Sequence, residues 1–294
     1  MKPAAFEYDR AESVEHALAL LTEHADDVKV LAGGQSLMPM LNFRLARPGR
    51  LVDINGLGAL ASVRRADGML HIGAMTRQAV MERSDTVRAH WPLLHEALSF
   101  VAHPQIRNRG TIGGSVAHAD PAAELPVALT ALDASVTVAS SRGSRSIAMG
   151  DLYITHLTTC LEADELVTEI IVPPISPAAG SAFVEYARRH GDFGLGGAAV
   201  VLTPGSDGRC ERAQIVLLAA GPTPLRVPEA EHALESRVID EDIAREAAAC
   251  AVREIAPTGD IHGDMRYRRR LIEGLVRRAV LTASHRAGLR SEAT

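Results

Sequence analysis

Two short segments carry residue types that can hold an anion through the main chain. Ala32-Gly33-Gly34-Gln35-Ser36 and Thr111-Ile112-Gly113-Gly114-Ser115 each join a glycine pair to a serine. Glycine tolerates positive φ, so consecutive N–H groups can turn into one concavity, and a helix start behind them favours phosphate. On this reading a β-branched residue in place of Gly114 would block the backbone. The hydroxyls of Ser36, Thr111 and Ser115 add donors. Two such cradles suit a diphosphate held from two sides. Tight turns and helix caps use the same residues, and spacing alone does not name the ligand.

Other chemistry is harder to assemble from this chain. Gly194-Leu195-Gly196-Gly197-Ala198-Ala199 matches the dinucleotide pattern Gly-x-Gly-x-x-Ala formally, but Val200-Val201-Leu202 reads as a strand where that pattern needs a helix. No His-Glu-x-x-His pair occurs among the 12 histidines, and no Gly-x-Ser-x-Gly elbow is present. His103 and His118 flank the second glycine segment; each fits either a cofactor contact or a loop histidine bonded to backbone. The three cysteines, Cys160, Cys210 and Cys250, are scattered, which argues against a disulfide framework and an iron–sulfur cluster. Each reads as a small buried hydrophobe. No metal site, catalytic acid, base or nucleophile is evident.

The elements that must position the loops follow from periodicity. Ser13 caps a helix over 13–24 with Val14, Ala17, Leu18 and Leu21 on one face. Val28–Ala32 and Leu51–Ile54 are strands on either side of the first loop, with Pro39 near the start of a short helix. Ser62–Arg65 and Met69–Ala74 form a hairpin, Thr76 caps a helix through Arg83, and Pro92–Ala102 is a longer helix ahead of the second loop. Glu124–Leu132 is helical, Val136–Ala139 and Ser146–Ala148 pair, and Leu166–Val172 is a strand. The proline-rich stretch 173–181 is the best boundary. Beyond it come strands at Ala182–Ala187, Ala198–Leu202 and Ala213–Ala219, helices over 228–236, 240–253 and 264–286, and a frayed end. Strands first and helices after reads as a separate α+β domain.

Composition narrows the partners. A net charge of −5 argues against a broad nucleic-acid face. The arginines at 266, 268, 269, 270, 277 and 278 read as the solvated face of the last helix, or else as a contact with an acidic partner chain. No apolar run reaches membrane-span length and no signal peptide is visible, so a cytoplasmic location is expected.

Longer motifs around the two loops carry a resemblance. Leu31-Ala32-Gly33-Gly34-Gln35-Ser36-Leu37-Met38-Pro39-Met40, and Arg109 through Glu124, resemble the two flavin loops of the FAD-binding medium subunits of molybdenum hydroxylases, the carbon monoxide dehydrogenase and xanthine dehydrogenase type. Arg188-Arg189-His190-Gly191-Asp192-Phe193 is similar to a third family segment. The resemblance implies an α+β fold: a vanillyl-alcohol-oxidase (PCMH)-type FAD-binding domain over 1–176, with subdomains 1–55 and 56–176, and a smaller C-terminal α+β domain over 177–288. It implies an electron-transfer subunit that takes electrons from [2Fe-2S] clusters and passes them to an external acceptor. FAD would lie on this chain. Molybdopterin and the clusters would lie on a large and a small partner subunit, in a dimer of heterotrimers. By position, Ala32, Gly33, Gly34, Gln35, Ser36, Thr111, Ile112, Gly113, Gly114 and Ser115 would line the diphosphate and ribityl chain, Val101 would pack nearby, Glu124 would accept from cofactor hydroxyls, Val167 would meet the adenine, and Phe193 would replace a tyrosine that some relatives place against the isoalloxazine. A stand-alone FAD-dependent oxidoreductase of the same fold is the other enzyme reading; a non-catalytic nucleotide-binding module is the third.

Overall fold

The computed structural model describes residues 1–25, 27–253 and 255–289; the expected frayed end falls beyond them. Among the described residues the chain builds three main sheets in succession, with a small two-stranded antiparallel sheet inserted in the second part of the chain. The first is parallel. Strand β1 (Glu7–Arg10) precedes helix α1 (Val14–Glu23), then β2 (Val28–Leu31), α2 (Leu37–Asn42) and β3 (Arg50–Asp53), in the order β1-β3-β2. Ser13 caps α1 as expected, its hydroxyl accepting the His16 N–H at 3.1 Å. Ala17, Leu18 and Leu21 form the buried face. Strand β1 was not legible, because Glu-Tyr-Asp-Arg lacks apolar alternation and lies on an edge.

The second sheet is antiparallel, ordered β4-β5-β10-β6-β7. Hairpin β4 (Val63–Ala66) and β5 (Met69–Gly73) leads into a helical stretch: α3 (Gln78–Glu82), α4 (Asp85–His90), α5 (Pro92–Phe100), α6 (Pro104–Arg107), α7 (Ile112–His118) and α8 (Glu124–Ala131). Hairpin β6 (Ser135–Ser140) and β7 (Gly143–Ala148), the short α9 (Met149–Leu152), β8 (Tyr153–Thr155) and β9 (Thr158–Thr159) follow. Strand β10 (Leu166–Val172) closes the sheet between β5 and β6. Thr76 does not cap α3. Arg77 holds the N-cap position, and the Thr76 hydroxyl donates to the Ser62 carbonyl at 3.0 Å, tying the helix start to the hairpin.

The third sheet is ordered β11 (Gly180–Tyr186), β12 (Gly196–Pro204), β13 (Cys210–Leu218), β14 (Leu225–Arg226), followed by α10 (Pro228–His232), α11 (Glu241–Ala251) and α12 (Met265–Arg286). Its two faces meet different partners. Phe183, Ala199, Val201, Val216 and Leu218 join the core under α5 and α8, whereas Ala182, Ala198, Val200, Ile215 and Leu217 pack under α11 and α12. Burial on both faces explains the unbroken apolar run of β12. It also excludes a dinucleotide loop at Gly196–Ala199, which lies inside a strand.

Of the six α12 arginines expected to face solvent, Arg266, Arg270, Arg277 and Arg278 are exposed, whereas Arg268 and Arg269 turn inward. Arg268 is buried against Asp260, Arg269 donates to the Val252 carbonyl at 2.8 Å, and Arg277 pairs with Glu241. Of the cysteines only Cys210 is fully buried; Cys160 and Cys250 are half-buried.

Candidate functional site

The first glycine loop leaves the edge strand β2. Gly34 takes φ +72°, which a side chain would strain. The main-chain N–H groups of Ala32, Gly33, Gly34, Gln35 and Ser36 find no acceptor among the described residues. Ser36 starts α2 without a side-chain capping bond. Five successive uncommitted donors are available to an anion, because backbone amides are normally paired.

The second loop works differently from the expectation. Gly113 and Gly114 do not have positive φ and belong to α7. The Ile112 N–H donates to the Thr76 carbonyl at 3.0 Å, Gly113 to Ala74 at 2.9 Å, and Ser115 to the Thr111 carbonyl at 3.1 Å. The Gly114 N–H donates to Thr111 Oγ1 at 3.1 Å. These amides are consumed by the helix start and the end of β5, so no nest forms there. The glycines instead permit close approach. A Cβ on Gly113 would lie 2.6 Å from Ala74 Cβ, and one on Gly114 2.6 Å from Thr111 Oγ1 and 3.7 Å from Ala32 Cβ. The hydroxyls of Thr111 and Ser115 remain as donors from this side.

The loops touch. A Cβ on Gly33 would lie 2.5 Å from the Arg109 carbonyl oxygen and 2.8 Å from Gly110 Cα. Behind them, Asn55 Nδ2 donates to the Ala32 carbonyl at 2.8 Å, and Asn55 Oδ1 accepts from Arg77 Nη2 at 2.7 Å. Arg77 Nη1 donates to the Arg109 carbonyl. Sequence reasoning missed Asn55 and Arg77, which carry no motif of their own.

The remaining expected residues surround this junction. Val101 ends α5 and is buried; its carbonyl accepts from Arg107 Nη1 at 2.8 Å. Arg107 is itself buried and grips Glu82 with two bonds of 2.8 and 2.9 Å, fixing the turn before the second loop. His103 in that turn is exposed and lies against Gly191, where a Cβ would come within 2.4 Å of its ring. The Arg188–Phe193 segment therefore docks beside the second loop, while the Phe193 ring is 75% exposed. Val167 is buried on β10 at a bulge. The neighbouring Thr168 carbonyl accepts the Ala74 N–H at 2.9 Å, one link from Gly113.

Burial dominates the electrostatics. Glu124, in the first turn of α8, is pushed up to about 7 by burial, with the Asp120 charge adding to it. Glu185 on β11 is pushed up to about 9 by burial and the Glu124 charge, and its Oε2 has no hydrogen-bond partner among the described residues. Burial lowers His118, opposed by Asp120.

Residues 4–175 match the family model of the FAD binding domain in molybdopterin dehydrogenase, and residues 181–283 match the CO dehydrogenase flavoprotein C-terminal domain. The chain is 49% identical to the 6-hydroxypseudooxynicotine dehydrogenase complex subunit alpha of Paenarthrobacter nicotinovorans, covering 98% of this chain and 97% of that one. It is 41% identical to the caffeine dehydrogenase subunit beta of Pseudomonas sp. (strain CBB1), covering 100% and 94%. A chain of the Hydrogenophaga pseudoflava carbon monoxide dehydrogenase lacking the Mo-pyranopterin moiety superposes with a TM-score of 0.95 at 36% identity, covering 97% of this chain and 99% of that one. The three-sheet fold, the paired glycine loops and these full-length similarities place the chain among the FAD-binding medium subunits of the molybdenum hydroxylases, oxidoreductases of the carbon monoxide dehydrogenase and xanthine dehydrogenase type.

Proposed function

We propose that the chain holds FAD across the touching loops, with unequal contributions from the two sides. The observation that carries this is the run of five N–H groups, Ala32 to Ser36, without internal acceptors. They would take the diphosphate. Thr111 and Ser115 would add hydroxyl donors, while Gly113 and Gly114, next to Ile112, leave no room for a Cβ. Val101 and Val167 supply buried apolar surface. Glu124 would meet cofactor hydroxyls, and Phe193 would offer ring contact without a hydroxyl. FAD, when bound, supplies the capacity to accept electrons and release them in pairs. The protein positions it, excludes water at the loop junction, and keeps a buried carboxyl, Glu124, able to hold a proton near neutral pH.

This role is one step of a complex. As a medium subunit the chain takes electrons from [2Fe-2S] clusters of a small partner subunit and passes them to an external acceptor, while a large molybdopterin subunit performs the substrate chemistry. We place the complex in the cytoplasm as a dimer of heterotrimers; among the described residues no helix is long and apolar enough to cross a membrane. The chain divides functionally at about 176/177, after the second sheet. The names of the two curated relatives favour a nitrogen heterocycle as holoenzyme substrate. Purification of the chain with its co-produced partners tests this. A flavin spectrum and co-elution with a large and a small chain are expected; a colourless chain, or full turnover of an organic substrate by the chain alone, overturns it.

A further inference from the structure

Beside the loop junction stand two cations, Arg77 outside both glycine motifs and Arg109 at the head of the longer second one. We infer that Arg77 and Arg109 form a cationic latch: Arg77 holds the two glycine loops together from behind, and the pair supplies the fixed positive charge that receives the FAD diphosphate. This rests on the FAD reading of the loops.

The latch runs through one continuous set of bonds. Asn55 donates to the Ala32 carbonyl of the first loop at 2.8 Å and accepts from Arg77 at 2.7 Å. Arg77 then donates to the carbonyl of Arg109, at the entrance to the second loop. That same carbonyl is the atom against which Gly33 packs, at 2.5 Å from where its Cβ would be. The Arg109 carbonyl is thus held between Gly33 on one side and the Arg77 guanidinium on the other. An isolated bridge between Arg77 and Thr111 fixes the spacing further. Arginine suits this place because its planar fork reaches two acceptors at once.

The charges are poorly balanced within the protein. The Arg109 side chain is exposed and its guanidinium makes no hydrogen bond among the described residues. Burial and the Arg109 charge both hold Arg77 below its ordinary pKa. Asp53 is the one carboxylate acting in the other direction, and its charge also faces Arg10, while its oxygens accept from Tyr8 at 2.5 Å and from Asn55 at 2.6 and 2.8 Å. Two neighbouring guanidiniums with a committed counter-ion repel each other, and a doubly charged diphosphate relieves that repulsion.

The test uses the full chain, stripped of flavin and titrated with FAD by flavin-fluorescence quenching at several salt concentrations. Arg77→Gln is expected to raise the FAD Kd at least about tenfold, as loss of charge-assisted hydrogen bonds predicts. Arg77→Lys restores part of that loss, since it keeps the charge without the fork. Asn55→Ala and Arg77→Gln combined cost less than the sum of the two, because they cut one chain of bonds. Arg109→Gln removes an exposed side chain, so folding is not at stake; a several-fold weaker Kd and a flatter salt dependence than wild type are expected. If the wild-type chain binds no FAD, the reading of the loops falls and the latch with it. If it binds FAD, and Arg77→Gln and Arg109→Gln bind as tightly and with the same salt dependence, the latch alone is overturned. Should Arg77→Gln not fold, Arg77→Lys and Arg109→Gln decide, and wild-type binding by both overturns the proposal.

Discussion

At the residue scale, the same residue type serves opposite ends in the two loops. Gly34 is needed for its positive φ, whereas Gly114 is needed because a Cβ there would meet Thr111 Oγ1 at 2.6 Å. Gly114→Val is therefore expected to push the loops apart and strip most of the flavin, read from the flavin-to-protein absorbance ratio of the purified variant. Wild-type occupancy would remove the second loop from the cradle. Glu185 allows a test by pH. Its folded pKa of about 9 lies above the ordinary 4.5, so between those values the folded chain binds more protons than the unfolded one. Stability conferred on the protonated form is complete below the lower value and is lost as pH rises towards the upper one. Glu185→Gln should flatten the decline of the thermal midpoint between about pH 5 and 9. An unchanged slope would mean that the carboxyl is ionised in the fold.

At the element scale, helix α7 decides how the second loop can act. Thr111 is its N-cap, and its hydroxyl accepts the Gly114 N–H. Thr111→Ala should cost about 1 kcal/mol in denaturant unfolding, as N-cap losses do. On the proposed reading of the loops it should weaken FAD binding as well, since it loosens the Gly114 backbone that lies against Ala32. An effect on neither would show that α7 is fixed by its bonds to Ala74 and Thr76 alone. The turn before α7 is held by the buried Arg107–Glu82 pair, which also supports Val101.

At the scale of the molecule, the third sheet closes the core of the second. Glu96 on α5 joins them: it accepts from the Phe183 N–H at 3.0 Å and from Arg286 of α12 at 2.9 Å. Its side chain is 30% exposed, which discounts the pair, so Glu96→Ala is expected to cost about 1–2 kcal/mol. Chemical denaturation checks this. A shifted midpoint with an unchanged slope indicates one cooperative unit; a fall in slope indicates that the two parts have begun to unfold separately.

The sequence by itself determined a good deal of this. Apolar periodicity located α1, α5, α8, β10 and the three strands β11 to β13, since each buries one defined face or lies wholly inside. The Gly-Gly segments marked the two loops that come together, because few other residues fit so close a backbone approach. Tertiary structure decided the rest. That Gly113 and Gly114 serve contact and not φ depends on where Ala74 and Ala32 come to lie, which no local pattern encodes. Arg77, Asn55 and Arg109 form one latch because Asn55 reaches the Ala32 carbonyl, Arg77 reaches the Arg109 carbonyl, and the two side chains meet each other, a meeting of separate turns that no local pattern encodes. Glu185 holds a proton because β11 buries it beside Glu124, and that juxtaposition exists only once the third sheet has closed on the second.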